Sequence, residues 1–218
     1  MTTILIADDH PLFRAALKQA VEASFVDATI HEADSLATLE TLGQQAIPFD
    51  VILLDLHMPG THGFSGLVYL REQYRKVPLV VISATESVDV IQRAIHFGAD
   101  GFIPKSASIE TMTDAMGKIM AGERWLPEHA RRAMPPTLPD HSGMSERIAS
   151  LTPQQFRVMG MLMEGMQNKV IAYELDVSEA TIKAHMTAIF RKLGVRNRTQ
   201  AVLALKDLAI EPQGVDGN

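Results

Sequence analysis

Cysteine is absent from all 218 residues, so a disulfide framework, a thiolate metal site and a cysteine nucleophile are excluded. Long apolar runs are absent too. The start, MTTILIADDH, has no basic region and meets two aspartates after a short apolar stretch. It is read as neither a signal peptide nor a membrane span, and a cytoplasmic location is expected. Positive charge is in short supply: 20 Lys+Arg against 26 Asp+Glu leave a net charge of -6, which alone argues against a nucleic-acid partner. The sum hides a division, because residues 1–150 carry 12 Lys/Arg against 19 Asp/Glu, whereas 151–210 carry 8 against 5.

What is present suffices for two cores: 46% of the residues are hydrophobic in a chain long for one small domain. Buried-strand runs are expected at Thr3 to Ala7, Asp50 to Leu54, Leu79 to Ser83 and Gly101 to Pro104, with a weaker one at Thr29 to Ala33. Between them, Pro11 to Phe25, Leu36 to Gln45, Gly63 to Tyr74, Val88 to Phe97 and Ile109 to Met120 repeat apolar residues at helical spacing. Alternating strand and helix predicts an α/β fold, a doubly wound parallel sheet covered on both faces. From Trp125 to Arg147, four prolines and small polar residues replace any sustained period, which reads as a linker. Past Leu151 the strands vanish, and helices are expected near 153–164, 168–175, 179–193 and 198–208. The divisions are residues 1–121, a linker 122–147, an all-α domain 148–210 and a frayed tail 211–218.

Ligands of a doubly wound sheet collect at the carboxyl ends of its strands. Here those ends carry Asp8, Asp9, Asp55, Ser83 and Lys105. Three carboxylates brought together repel unless a cation sits among them, and a hard oxygen site suits Mg²⁺. A lysine and a hydroxyl on the same rim are what phosphoryl oxygens require. Alone, an Asp-Asp pair after a strand is commonly a turn and helix cap, and Lys105 a solvated lysine. Their joint placement, each at a strand end, is what points to chemistry. His10 opens a helix, and His57 and His62 flank a Pro-Gly turn; all three are read as structural.

In ADDHPLFR, LLDLHMPG, VISA and GFIPKS, residues 1–121 resemble the flavodoxin-like receiver domains of two-component response regulators. The resemblance implies that Asp55 accepts phosphate from a histidine kinase. It implies that Asp9, Asp55 and the backbone carbonyl of His57 hold Mg²⁺, with Asp8 acting through water. Ser83 and Lys105 would grip the phosphoryl oxygens, and Phe102 would follow the hydroxyl's movement. Ser83 stands where threonine is commoner, and Pro104 before the lysine fits a strand end that needs no ladder donor.

In the second half, Thr152 is placed as N-cap with Pro153 in the first turn, and Gly165 closes that helix. Ser178 is the natural N-cap of the helix from Glu179, whose Ile182, Met186, Ile189, Phe190 and Leu193 form one apolar stripe. Ala180, Lys183, Ala184, Thr187 and Arg191 fall opposite. A small, basic outer face lets a helix enter a major groove. With a short helix before it and a tight connection through Asp176 and Val177, the pattern is a helix-turn-helix.

Residues 151–208 resemble the LuxR-type output domain of the NarL/FixJ response regulators. This resemblance implies that Thr181, Lys183 and Ala184 face the groove of double-stranded DNA, with Thr187 and Arg191 on the same face. Asn168 and Lys169 would contact phosphate, and Arg198, Thr199, Ala201 and Val202 would pair two subunits. Thr187 and Gln200 depart from members with lysine and glutamate there. A dimerising DNA-binding regulator follows, not an enzyme, with RNA polymerase as a candidate partner. Enzymes working through an aspartyl phosphate need a second acid two residues after the nucleophile, and His57 stands there. A receiver acting as a phosphorylation-independent interaction module is the alternative.

Overall fold

The computed structural model describes residues 2–133 and 142–208. Strands β1 (Thr2–Ala7), β2 (Ala28–Ala33), β3 (Val51–Asp55), β4 (Leu79–Ser83) and β5 (Gly101–Pro104) form a parallel sheet in the order β2-β1-β3-β4-β5. Helices α1 (Pro11–Ser24), α2 (Leu36–Gln44), α3 (Ser65–Gln73), α4 (Val88–His96) and α5 (Ile109–Met120) connect them. All five expected strands and helices form, with ends shifted by a residue or two. Every residue of β3 and β4 is buried, as expected for strands covered on both faces. Leu17, Ala20 and Val21 of α1 pack with Met112, Ala115 and Met116 of α5 on one face, while α2, α3 and α4 cover the other.

In the segment expected to be an irregular linker and across its far boundary, two short helices form, α6 (Glu128–Ala133) and α7 (Ser142–Ala149). Both owe their order to tertiary contact, since Ala130 and Ile148 are fully buried in the apolar core. Residues 134–141 and the expected tail lie outside the described residues.

The helical domain contains α8 (Pro153–Met163), α9 (Asn168–Glu174), α10 (Glu179–Leu193) and α11 (Arg198–Leu205), followed by a 3-10 turn at Lys206–Leu208. Local chemistry explains each boundary. Thr152 and Gln155 close a capping box at the start of α8. Gly165, at φ 83°, lets the chain leave that helix in the left-handed region. Asp176, at φ 50°, makes the sharp turn between α9 and α10, a conformation Asp tolerates better than bulky residues. Ser178 accepts from the Thr181 amide as the N-cap of α10.

The two domains share one apolar core on the α3 side. Tyr69 of α3 stacks on Phe156 of α8, with centroids 4.7 Å apart. The Phe64 amide donates to the Leu208 carbonyl (2.9 Å), and Arg157 pairs with Glu40 (2.8 Å). His62 lies 3.4 Å from Glu164 and fills the space beside Gly160, where an added Cβ would stand 3.2 Å from the imidazole.

Candidate functional site

The strand order places β1 and β3 side by side at the sheet's reversal point, so their carboxyl ends converge. Asp8 and Asp55 are almost wholly buried there. The loop after β1 is folded back by its own polar groups: the His10 amide donates to Asp8 Oδ1 (2.7 Å), and the Arg14 guanidinium holds the Asp8 carbonyl (2.6 Å). Lys105, just past β5, reaches across to Asp8 Oδ2 (2.7 Å) and Asp55 Oδ2 (2.9 Å). Asp9, Asp55, Asp8 and Lys105 are thus in one pocket, as are all the acidic residues expected from sequence.

The electrostatics follow from this packing. Burial acts to raise the Asp55 pKa, but neighbouring His57 and Lys105 outweigh it and hold the carboxyl below its ordinary range. Burial acts to lower the Lys105 pKa, and the Asp8 and Asp55 carboxylates override it, so the ammonium is held charged. Asp55 Oδ1 is buried without a hydrogen-bond partner, its nearest imidazole nitrogen being His57 Nδ1 at 3.9 Å. A ligand oxygen from each of Asp8, Asp9 and Asp55 lies within a 4.8 Å span. An unsatisfied buried oxygen among hard donors is a place a small divalent cation fits.

His10 joins this cluster, although its sequence position marks it only as a helix opener. Its Nδ1 is 2.7 Å from Asp9 Oδ1 and 3.4 Å from Lys105 Nζ. The Phe13 ring packs 4.9 Å under the Lys105 ammonium, a second neighbour missed from sequence. The available signal was their position in the first turn after the acid pair. Ser83 and Phe102 are fully buried, and the Ser83 hydroxyl accepts from the Thr85 amide (3.1 Å). His57 sits in the loop after β3, and His62 at the domain contact.

On the helical domain, Ile182, Met186, Ile189 and Leu193 turn inward and are buried. Thr181, Lys183, Ala184, Thr187 and Arg191 form an exposed face of α10 that the receiver-side domain does not cover. Lys183 pairs with Glu179 (3.3 Å), an exposed contact that is readily exchanged. Lys169 is exposed and Asn168 half-buried at the start of α9. Lys192, in contrast, is committed internally, to the Ser150 carbonyl (2.6 Å) and Gln155 (2.7 Å). In α11, Ala201 is buried and Arg198 caps α8 through the Leu162 and Met166 carbonyls (3.1 and 2.8 Å). Val202 and Leu203 remain exposed on that helix, as does Thr199. Among the described residues no helix is long and apolar enough to cross a membrane.

Residues 4–117 match the response regulator receiver domain family, and residues 149–205 match the family of bacterial regulatory proteins, luxR family. The glycerol metabolism activator of Pseudomonas putida is 42% identical over 95% of this chain and 96% of its own length. The nitrate/nitrite response regulator protein NarL of Escherichia coli is 32% identical over 92% of this chain and 93% of its own. Among solved structures, the RcsB response regulator of Salmonella typhimurium superposes with a TM-score of 0.55 at 20% identity, covering 94% of this chain and 98% of that one; it supports the fold.

Proposed function

Because the chain belongs to the response regulators that join a receiver domain to a LuxR-type DNA-binding domain, and is therefore a transcription regulator, we propose that Asp55 is its phosphoacceptor and a histidine kinase its donor. The observation carrying this reading is the convergence of Asp55, Lys105 and the acid pair at one sheet edge, with Asp55 ionised and one oxygen unpartnered. An ionised carboxylate is the nucleophile the reaction needs. Asp55 attacks phosphorus, an oxygen–phosphorus bond forms, and the phosphorus–nitrogen bond to the kinase imidazole breaks.

Asp9, Asp55 and the His57 carbonyl would hold Mg²⁺, with Asp8 acting through water; the cation would neutralise charge shared by two anionic reactants. The remaining work falls to the protein's own groups. Lys105 shifts from the carboxylates to a phosphoryl oxygen, and Ser83 turns its hydroxyl from the Thr85 amide to another. Phe102 fills the space so vacated.

The DNA face of α10 is exposed while the domains are docked, which favours control by pairing of subunits over uncovering of the helix. Thr181, Lys183 and Ala184 read the groove, Thr187 and Arg191 flank it, and Asn168 and Lys169 hold phosphate. Docking ties the end of the last helix to the receiver through the Phe64 to Leu208 hydrogen bond. Phosphorylation loosens that tie and frees α11, with exposed Val202 and Leu203, to pair with a second copy at a palindromic site. RNA polymerase is the partner such a bound dimer would present itself to.

The test is a small-molecule phosphodonor with Mg²⁺, read by intact mass, on the parent chain and on Asp55→Asn. The parent gains one phosphoryl group and the variant none. Equal modification of both places the acceptor elsewhere, and full labelling in chelator removes the metal assignment.

A further inference from the structure

The segment between the domains is seated on the receiver at two points, one on the backbone amide of Phe102 and one on the loop whose start Ser83 pins. Trp125 lies alongside the edge strand β5: it forms a parallel bridge to Gly101, and its carbonyl accepts from the Phe102 amide (3.1 Å). Gly101 makes the approach feasible, since a Cβ there would come within 2.5 Å of Ile119 and 3.2 Å of the Trp125 carbonyl. The chain then turns at buried Pro127 and runs through α6 across α4, burying Ala130 completely.

The second anchor is the loop between β4 and α4. His129 Nε2 lies 3.0 Å from the Glu86 carbonyl, and Gln92 of α4 donates to the Ala133 carbonyl (3.2 Å). Glu86 also accepts from Ser106 beyond β5 (3.2 Å). The same short loop is pinned at its start by the Ser83 hydroxyl accepting from the Thr85 amide. If Ser83 turns toward a phosphoryl group, the Thr85 amide loses its partner and the loop must rearrange to satisfy it. The His129 acceptor moves with that loop.

We propose that Trp125–Ala133 is a strap that reads the phosphorylation state of the receiver: held by His129 and by the Phe102 amide when Asp55 is free, released when it is phosphorylated. Release lengthens the tether between the domains and removes a constraint on their docked arrangement. The inference rests on Asp55 being the phosphoacceptor. It adds a route through α6 that is separate from the direct contacts of α3 with α8.

Trp125 is the only tryptophan of the chain, so its fluorescence reports the strap without labelling. The full chain is treated with beryllofluoride and Mg²⁺, or with acetyl phosphate and Mg²⁺, and acrylamide quenching is followed while intact mass counts phosphoryl groups. Quenching of Trp125 should rise in step with modification. His129→Ala should raise quenching without any donor. By thermodynamic reciprocity it should also tighten beryllofluoride binding, on the order of fivefold, the equivalent of one ordinary hydrogen bond. Full modification with unchanged quenching overturns the strap and leaves Asp55 phosphorylation standing. An unshifted beryllofluoride midpoint in His129→Ala reduces the contact to packing and overturns the coupling. No gain in mass overturns the phosphoacceptor reading, and the strap's trigger with it.

Discussion

Replacing Lys105 by methionine should destabilise the receiver by an amount that Mg²⁺ restores. Its ammonium touches two carboxylates, at 2.7 and 2.9 Å, and is only 14% exposed. Removing one partner of a buried ion pair costs about 3 to 5 kcal/mol, because the other charge remains desolvated. This pocket opens at a rim where water can enter, so a loss of about 2 kcal/mol is the better expectation. For a domain of this size that corresponds to a fall in Tm of roughly 8 °C. A cation bound at a hundredfold excess over its Kd contributes about 2.7 kcal/mol, enough to cancel the loss. The assay is thermal unfolding of parent, Lys105→Met, Asp55→Asn and the double variant, each in chelator and in Mg²⁺. Asp55→Asn removes one of the charges that Lys105 offsets, so the double variant should be less destabilised than Lys105→Met alone. Equal stability of Lys105→Met and parent in chelator, or simple addition of the two losses, would refute the electrostatic account.

DNA binding should weaken steeply with salt, log affinity falling with log salt by roughly 0.9 per phosphate neutralised, and Lys183→Ala should cost about 1 to 3 kcal/mol with relaxed preference at one position per half-site. An even loss over all sequences in competition binding would make Lys183 a phosphate contact. Gly160→Leu should wedge the domains apart, since even a Cβ stands 3.2 Å from His62 and 3.4 Å from the Gly60 carbonyl; small-angle scattering should show a larger radius of gyration, and an unchanged radius would deny the contact. Docking should also respond to pH in two directions. Burial lowers the His62 pKa, so the docked state binds fewer protons there, and its contribution, complete above the ordinary histidine value, is lost as pH falls through the lowered one. Burial raises the Glu40 pKa despite Arg157, so its contribution is present at acid pH and lost as pH rises through the raised value. Domain separation followed by energy transfer should therefore increase on descending below about pH 6.5 in the parent and lose that slope in His62→Gln.

Much of this protein was determined by sequence alone, because the deciding signals are local. Hydrophobic periods of two kinds mark the strands and helices of the receiver, and Thr152, Ser178 and Gly165 punctuate the helical domain through hydrogen bonds and dihedral preferences that act within a few residues. Chain topology then carries Asp8, Asp55, Ser83 and Lys105 to one edge, since parallel strands with right-handed crossovers leave few arrangements. The stripe of Ile182, Met186, Ile189 and Leu193 likewise told inside from outside on α10.

What only the tertiary structure decided are contacts between segments whose own patterns are silent. The linker shows no period, yet Ala130 within it and Ile148 just past its end are buried because neighbouring helices offer apolar surface, and burial against a preformed face orders a segment too short to be helical by itself. His10 and Phe13 joined the acidic pocket because the turn after β1 directs them at Lys105. A histidine and a phenylalanine in a first helical turn serve a helix start as readily as a pocket lining. The docked interface is of the same kind: Gly160 leaves room for His62, and Tyr69 meets Phe156, through complementarity of two surfaces distant in sequence. Periodicity records that a face is apolar, whereas the identity of what covers it depends on which other face lies within a few ångströms, and that is a property of the assembled chain.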